Sequence, residues 1–285
     1  MKIGYAGNDR TRGTYYLYDV KADKLTKIAD LAPWIQAEEM AEMIPVSYPS
    51  RDGLTIEGYL TLPAGLTMET ARQLPVVVNK FANIAGRYGT IDYEDLMQFV
   101  DVVLEKYPAI DKERLGVLGG SYGGYATLAG LTYTPDLYAC GVDYVGVSNL
   151  FTFLQTIPPY WKPMLDMMYE MVGDPQKDST MLAAYSPALN ADKIKAPLLV
   201  VQGANDPRVN KAESDQMVAA LRARGVDVDY MVKDNEGHGF HNEENRFAFY
   251  RTMERFLAKH LKGEQIDAVI EEEAPAPAEA DSMAR

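Results

Sequence analysis

Apolar and polar positions alternate with two different periods along this chain, and the change of period marks out its elements. From Thr14 to Lys27 the run Thr-Tyr-Tyr-Leu-Tyr-Asp-Val-Lys-Ala-Asp-Lys-Leu-Thr-Lys alternates on both sides of a polar turn, which predicts an antiparallel strand pair. Residues 47 to 63 alternate in the same way around Asp52-Gly53 and predict a second pair; Val76 to Val78 predicts the next strand. The spacing then becomes helical. Tyr93 to Lys106 carries Leu96, Phe99, Val100, Val103 and Leu104 on one face of an amphipathic helix. Buried strands follow near residues 114, 139, 197 and 226, alternating with helices near 122, 211 and 243, a βα rhythm that predicts a doubly wound, mostly parallel sheet. One long insertion, Asn149 to Lys195, breaks the rhythm with a segment rich in Phe, Tyr, Trp and Met.

The chemistry sits where those strands end. After the strand Arg114–Leu118 comes Gly119-Gly-Ser121-Tyr-Gly-Gly-Tyr125, opening a small-residue helix through Leu131. That is where an α/β-hydrolase exposes a nucleophilic serine on a sharp turn, with glycines two before and two after it because strand and helix backbones crowd there. A serine hydroxyl needs a base to take its proton, and the base needs a carboxylate to fix its tautomer. The chain has three histidines. His260 falls in a C-terminal amphipathic helix from Arg246 to Leu261 and reads as a solvated helix residue. His241 opens that helix and reads as a capping or surface residue. His238, flanked by Gly237 and Gly239 after the strand Val226–Val232, suits a catalytic loop. Asp206 follows the strand Ala196–Gly203 and lies between Ser121 and His238 in chain order, as this fold requires. A metal site at His238 and His241 with Glu236, Glu243 and Glu244 lacks a recognised ligand frame, so no metal and no cofactor are expected.

Three motifs together, GGSYGGYATLAG, QGANDPRVNKAESDQMV and EGHGF, resemble the prolyl oligopeptidase family of serine peptidases, nearest its acylaminoacyl-peptidase-like branch, over roughly residues 10 to 262. The resemblance implies an α/β-hydrolase domain that cuts short peptides, with Ser121 as nucleophile, Asp206 as orienter and His238 as base. It also implies a β-propeller cap, of which residues 1–45 hold one blade-like fragment and a linker helix. The expected division is therefore a propeller-blade remnant over 1–45, a catalytic domain over 46–263 with the insertion 149–195 near the pocket, and an acidic tail over 264–285. Glu38 and Glu39 invite comparison with the acidic pair that grips a free amino terminus in dipeptidyl peptidases, but they sit on a polar helical stretch and read as solvated.

The chain departs from the family pattern after Leu74–Val78. A His-Gly-Gly-Pro-like loop, a helix and a further central strand are replaced by Asn79–Thr90, which resembles the segment after that strand. The backbone N–H of Tyr122 supplies one oxyanion donor, and the second has no visible source. Loss of one such donor costs about 3 kcal/mol, or roughly a hundredfold in rate. The sheet is expected to expose an edge or to leave a gap beside the nucleophile strand. A catalytically impaired remnant is thus one alternative, and a carboxylesterase of the same fold is another. Within the insertion, Tyr160 and Trp161 are the expected lining of an apolar substrate slot, while most of its apolar residues form a packed face. Arg208 is a candidate for a substrate carbonyl or carboxylate, or for a structural ion pair.

Charge narrows the partners. The chain of 285 residues carries a net charge of -13, which opposes binding to nucleic acid or an anionic membrane surface. Residues 264–285 hold seven acids and one base, too little apolar surface to fold, and read as disordered. Short peptides or small esters are the expected substrates; a homo-oligomer is compatible with the sequence. Cys140 is the only cysteine, so no intrachain disulfide can form, and the beginning Met-Lys-Ile-Gly-Tyr-Ala has no apolar run. Both fit a cytoplasmic setting.

Overall fold

The computed structural model describes residues 1–49, 53, 55–79 and 100–261. They fall into two compact units, one drawn from Met1–Gln73 and Gln98–Ala109, the other from Leu74–Met97 and Ile110–Arg285.

The first unit holds two antiparallel sheets. Strands β1 (Lys2–Asn8), β2 (Thr11–Asp19) and β3 (Lys24–Asp30) pair in the order β1-β2-β3. The polar turn between β2 and β3 is closed locally: the Asp19 carboxylate accepts the N–H groups of Lys21 and Ala22, and the Tyr18 hydroxyl donates to Asp23, itself in the left-handed region at φ 48°. Strand β1, which the alternation does not announce, adds a third member and is exposed throughout. Strands β4 (Met43–Pro49) and β5 (Thr55–Thr61) form the second pair. Residues 45 and 46, the expected domain boundary, lie inside β4. The expected linker helix is a correction: a single 3-10 turn, Ala37–Glu39, stands in its place, and Glu38 and Glu39 are both exposed. Of the predicted helix Tyr93–Lys106, residues 100–106 are described and helical (α1). Its first half, the segment after Asn79, and the acidic tail lie outside the described residues.

The second unit is a five-stranded, fully parallel sheet of β6 (Leu74–Asn79), β7 (Ile110–Gly120), β8 (Cys140–Tyr144), β9 (Leu198–Gly203) and β10 (Val228–Lys233), in the order β10-β9-β8-β7-β6. Period-two alternation assigns the faces. Cys140, Val142, Leu199 and Val201 point to one side and pack under Phe249 and Phe256 of α7 (Glu243–His260). The intervening Gly141 and Asp143 face α2 (Tyr122–Tyr133), which approaches so closely that a Cβ at Gly141 would press on Leu131. On that same side α6 (Lys211–Arg222) buries Met217 and Leu221 completely. Every residue from Leu198 to Val201 is fully buried, as expected for a strand covered on both faces.

One of the two expected outcomes for the sheet is found, and the reading of His260 changes. Val76–Val78 occupies the place directly beside the nucleophile strand, with Val76 opposite Leu115 and Val78 opposite Val117, so no gap separates them. Among the described residues β6 is the sheet edge. His260 is only partly solvated: its ring lies 4.6 Å from that of Phe256 with Nε2 buried, and burial lowers its pKa.

The insertion folds as α3 (Leu150–Gln155), α4 (Leu165–Met171) and α5 (Ser179–Ala184) with 3-10 turns at Pro159–Met164 and Pro187–Lys193. Leu150, Phe153, Leu154, Val172 and Leu182 from it join Tyr125 and Ala129 of α2 in one apolar cluster. Truncating a buried leucine loses transfer energy and leaves a cavity, so Leu199→Ala is expected to lower the unfolding free energy by about 3 kcal/mol. Leu189→Ala, at a half-exposed position of the same unit, should change it by less than about 0.5 kcal/mol. Urea unfolding of the two variants measures the contrast.

Candidate active site

Ser121 stands between the last residue of β7 and the first of α2, at φ 58° and ψ −115°, a backbone region that side-chain-bearing residues rarely occupy. Its N–H is tied to the carbonyl of Tyr144 at the end of β8, 2.8 Å away. The glycine spacing has a direct cause: a Cβ on Gly119 would run into the carbonyl of Gly123, and one on Gly124 would meet the Asp143 carboxyl. The turn lifts Oγ clear of the sheet, and Ser121 is partly exposed.

Asp206 comes three residues after β9 and is buried. Its Oδ1 accepts the backbone N–H groups of Arg208, at 2.8 Å, and Val209, at 3.0 Å, an Asx-type turn that fixes the carboxylate plane. Its Oδ2 lies 2.7 Å from His238 Nδ1 and 3.4 Å from Gln202 Nε2. His238 Nε2 is 2.9 Å from Ser121 Oγ. A carboxylate can only accept, so Nδ1 carries the proton and Nε2 presents a lone pair to the serine hydroxyl. The three residues predicted from chain order thus meet in one continuous line. The arrangement can pass the Ser121 proton to the imidazole and stabilise the resulting cation.

The base loop is held by Glu236, which the sequence reading weighed only as a metal neighbour. Its buried carboxylate accepts the N–H groups of His241 and Asn242 and the side-chain amides of Asn242 and Asn245. Burial by itself raises its pKa, but these donors outweigh it and bring it down to about 2. Beneath the site lie three further buried polar groups to which the sequence reading gives no role, Gln202, Glu213 and Asp143. Gln202 receives the Ser214 hydroxyl on Oε1 and donates to the carbonyls of Gly203 and Val209. Glu213 accepts from the Ser148 and Asn149 backbone N–H groups and from the Thr152 hydroxyl, pinning the start of α3 to α6. Asp143 is fully buried beside Gly124 and Gly146; burial, partly offset by the Gly146 N–H and reinforced by the Glu213 charge, pushes its pKa up to about 7. A sequence signal for Gln202 and Asp143 exists: each is a polar residue within an otherwise apolar buried strand.

The remaining candidates are placed as follows. Tyr122 opens α2, so its backbone N–H belongs to the positive end of that helix. Trp161 packs on the cluster that also receives the Tyr122 ring, whereas Tyr160 is 56% exposed and meets Trp161 edge-on at 6.0 Å. Arg208 is exposed, makes no ion pair with a described residue, and serves Asp206 through its backbone.

A parallel sheet with a serine on the sharp turn from one strand into a helix, and an acid and a histidine at the ends of two further strands of the same sheet, defines the α/β-hydrolase class. The sequence profile of the prolyl oligopeptidase family matches residues 79–264. The chain belongs to that family. It is 37% identical over 296 residues to dipeptidyl aminopeptidase BIII of Pseudoxanthomonas mexicana, an alignment covering 87% of this chain and 43% of that protein. It is 42% identical over 182 residues to dipeptidyl peptidase family member 6 of Caenorhabditis elegans, covering 63% of this chain and 24% of that one. Among solved structures a puromycin hydrolase superposes with a TM-score of 0.78 at 21% identity, covering 92% of this chain and 46% of its own. An acylaminoacyl peptidase of Pyrococcus horikoshii gives 0.74 at 23%, covering 90% and 48%. These two likenesses show the shared fold. The chain spans less than half the length of the curated relatives it matches.

Asp143 generates a pH prediction. Its folded pKa of about 7 stands above the ordinary 3.8, so as pH rises the unfolded chain gives up this proton first. Folding is then disfavoured progressively between about pH 4 and pH 7, with the full penalty above that window. Asp143→Asn removes the ionisation, so the Tm of the variant minus that of the parent should increase from pH 4 to pH 8 in thermal unfolding. A constant difference would contradict the assignment.

Proposed function

We propose that this chain is the catalytic part of a serine peptidase acting on short peptides. The observation that carries the reading is the unbroken line Ser121 Oγ, His238 Nε2, His238 Nδ1, Asp206 Oδ2, with contacts of 2.9 Å and 2.7 Å. In the first step His238 takes the Ser121 proton as Oγ attacks the peptide carbonyl carbon. The backbone N–H of Tyr122, at the head of α2, is the donor assigned to the oxyanion that forms. Collapse breaks the C–N bond, and His238 returns its proton to the leaving amine. Water, deprotonated by the same imidazole, then hydrolyses the acyl ester and restores Ser121. Asp206 holds the ring in the productive tautomer throughout. Trp161, on the apolar cluster shared with Tyr122, is the preferred wall for the residue preceding the cut bond; exposed Tyr160 and Arg208 serve at the rim.

Family membership supports peptide over ester substrates, and the named activities of the relatives point the same way. No described helix is long and apolar enough to cross a membrane. A cytoplasmic site of action is part of the proposal, supported by a sole cysteine that is buried and unpaired.

Ser121→Ala is expected to abolish both turnover and fluorophosphonate labelling while leaving the circular dichroism spectrum unchanged. Asp206→Asn should keep the fold and lower kcat by on the order of 10³ to 10⁴, since the imidazole loses its orienting acceptor. Purified protein assayed against dipeptidyl and acylated amino-acid amides alongside p-nitrophenyl acetate checks the substrate class. Turnover of the ester alone would overturn the peptidase reading.

A further inference from the structure

The nucleophile and the base rise from strands that are not neighbours. Ser121 leaves β7 and His238 leaves β10, with β8 and β9 between them. At about 4.8 Å per strand the two stems are separated by roughly 14 Å, so the His238 loop must lean across two strands to bring its ring within 2.9 Å of Ser121 Oγ. Strand pairing does not fix that lean. Something has to hold the loop over the sheet.

Tyr144, the last residue of β8, touches both sides. Its backbone carbonyl receives the Ser121 N–H at 2.8 Å. Its phenolic oxygen accepts the N–H of Phe240, two residues beyond His238. The ring joining these two ends is itself fixed, stacked on Phe249 with centroids 4.7 Å apart at 23° and meeting Phe240 edge-on at 5.3 Å and 82°. Gly239 passes directly over the hydroxyl: a Cβ there would sit 3.6 Å from Tyr144 Oη, and its φ of 96° suits glycine alone. Two further backbone N–H groups, those of His241 and Asn242, go to Glu236. The Glu236 carboxylate therefore shapes the loop internally, its carbonyl ties the loop to the acid loop by accepting the Asn205 N–H at 2.9 Å, and Tyr144 connects it to the nucleophile turn.

We propose that Tyr144 is a positioning residue that sets the separation of Ser121 and His238 by tying the nucleophile turn and the base loop to one rigid side chain. The proposal rests on the roles given above to Ser121 and His238. It separates cleanly from a packing role, because phenylalanine at this position keeps both ring contacts and removes only the acceptor for the Phe240 N–H.

Tyr144→Phe is the test, with thermal unfolding to establish that the variant folds. Loss of this one part-buried hydrogen bond is expected to slow fluorophosphonate labelling and lower kcat by about tenfold with KM unchanged. The downfield Nδ1–H proton resonance of His238 should broaden by exchange with water. Labelling at the parental rate together with an unchanged resonance overturns the proposal. If the parent protein does not label, yet its Nδ1–H resonance is sharp and is lost in Tyr144→Phe, Tyr144 still positions the base and it is the serine hydrolase reading that fails. Hydrogen exchange of the Phe240 amide in the parent protein is a second measurement that needs no variant: protection supports the bond to Tyr144, and exchange at the rate of an open chain overturns it.

Discussion

The site depends on one geometric constraint, the parallel alignment of β7 to β10, which brings their carboxyl ends to the same edge of the sheet. Registers such as Gly120 with Tyr144 and Tyr144 with Val201 hold those ends level. Each strand then contributes one part: β7 the serine, β8 the carbonyl that anchors it, β9 the acid and β10 the base. The connecting arms are short, three residues from Gly203 to Asp206 and five from Lys233 to His238. Short arms on fixed stems leave little freedom for the side chains they carry, which is how an open α/β sheet makes a crevice at its carboxyl edge.

A second layer of polar groups keeps those arms in place. Gln202, Ser214, Glu213 and Glu236 are all buried, and each is hydrogen-bonded, Gln202, Glu213 and Glu236 to both backbone and side chains and Ser214 to the Gln202 side chain. In a medium of low polarity a satisfied network of this kind is rigid, and any single unsatisfied member would be costly. Glu213 has a particular place in it, since α6 carries it and the segment leading into the insertion supplies its donors. The acid loop and the aromatic cluster beside Tyr122 are thereby held to a common support.

Much of this was legible from the chain. The strand rhythm, the triad and the packed character of the insertion follow from alternation, glycine spacing and the scarcity of histidine, all of them local signals. What stayed hidden depends on tertiary register. Tyr144 reads as one more aromatic in an apolar strand until β10 is known to lie two places away. Glu236 reads only as an acid beside two histidines until the loop folds its own N–H groups around it. Strand β1 is not legible in the sequence because Gly4, Ala6 and Gly7 blur the alternation, and its pairing to β2 supplies what its composition does not. His260 departs from a fully solvated helix position because its helix turns the ring onto Phe256.

The interior placement of Cys140 has a practical side. It lies at the start of the central strand β8, fully covered, and burial pushes its thiol pKa up to about 12, so almost no thiolate exists at neutral pH. Alkylating reagents therefore have nothing to attack on the native molecule. Any incorporation of such a reagent counts the moments when the sheet opens, which gives this chain a built-in gauge of global breathing that needs no engineered label.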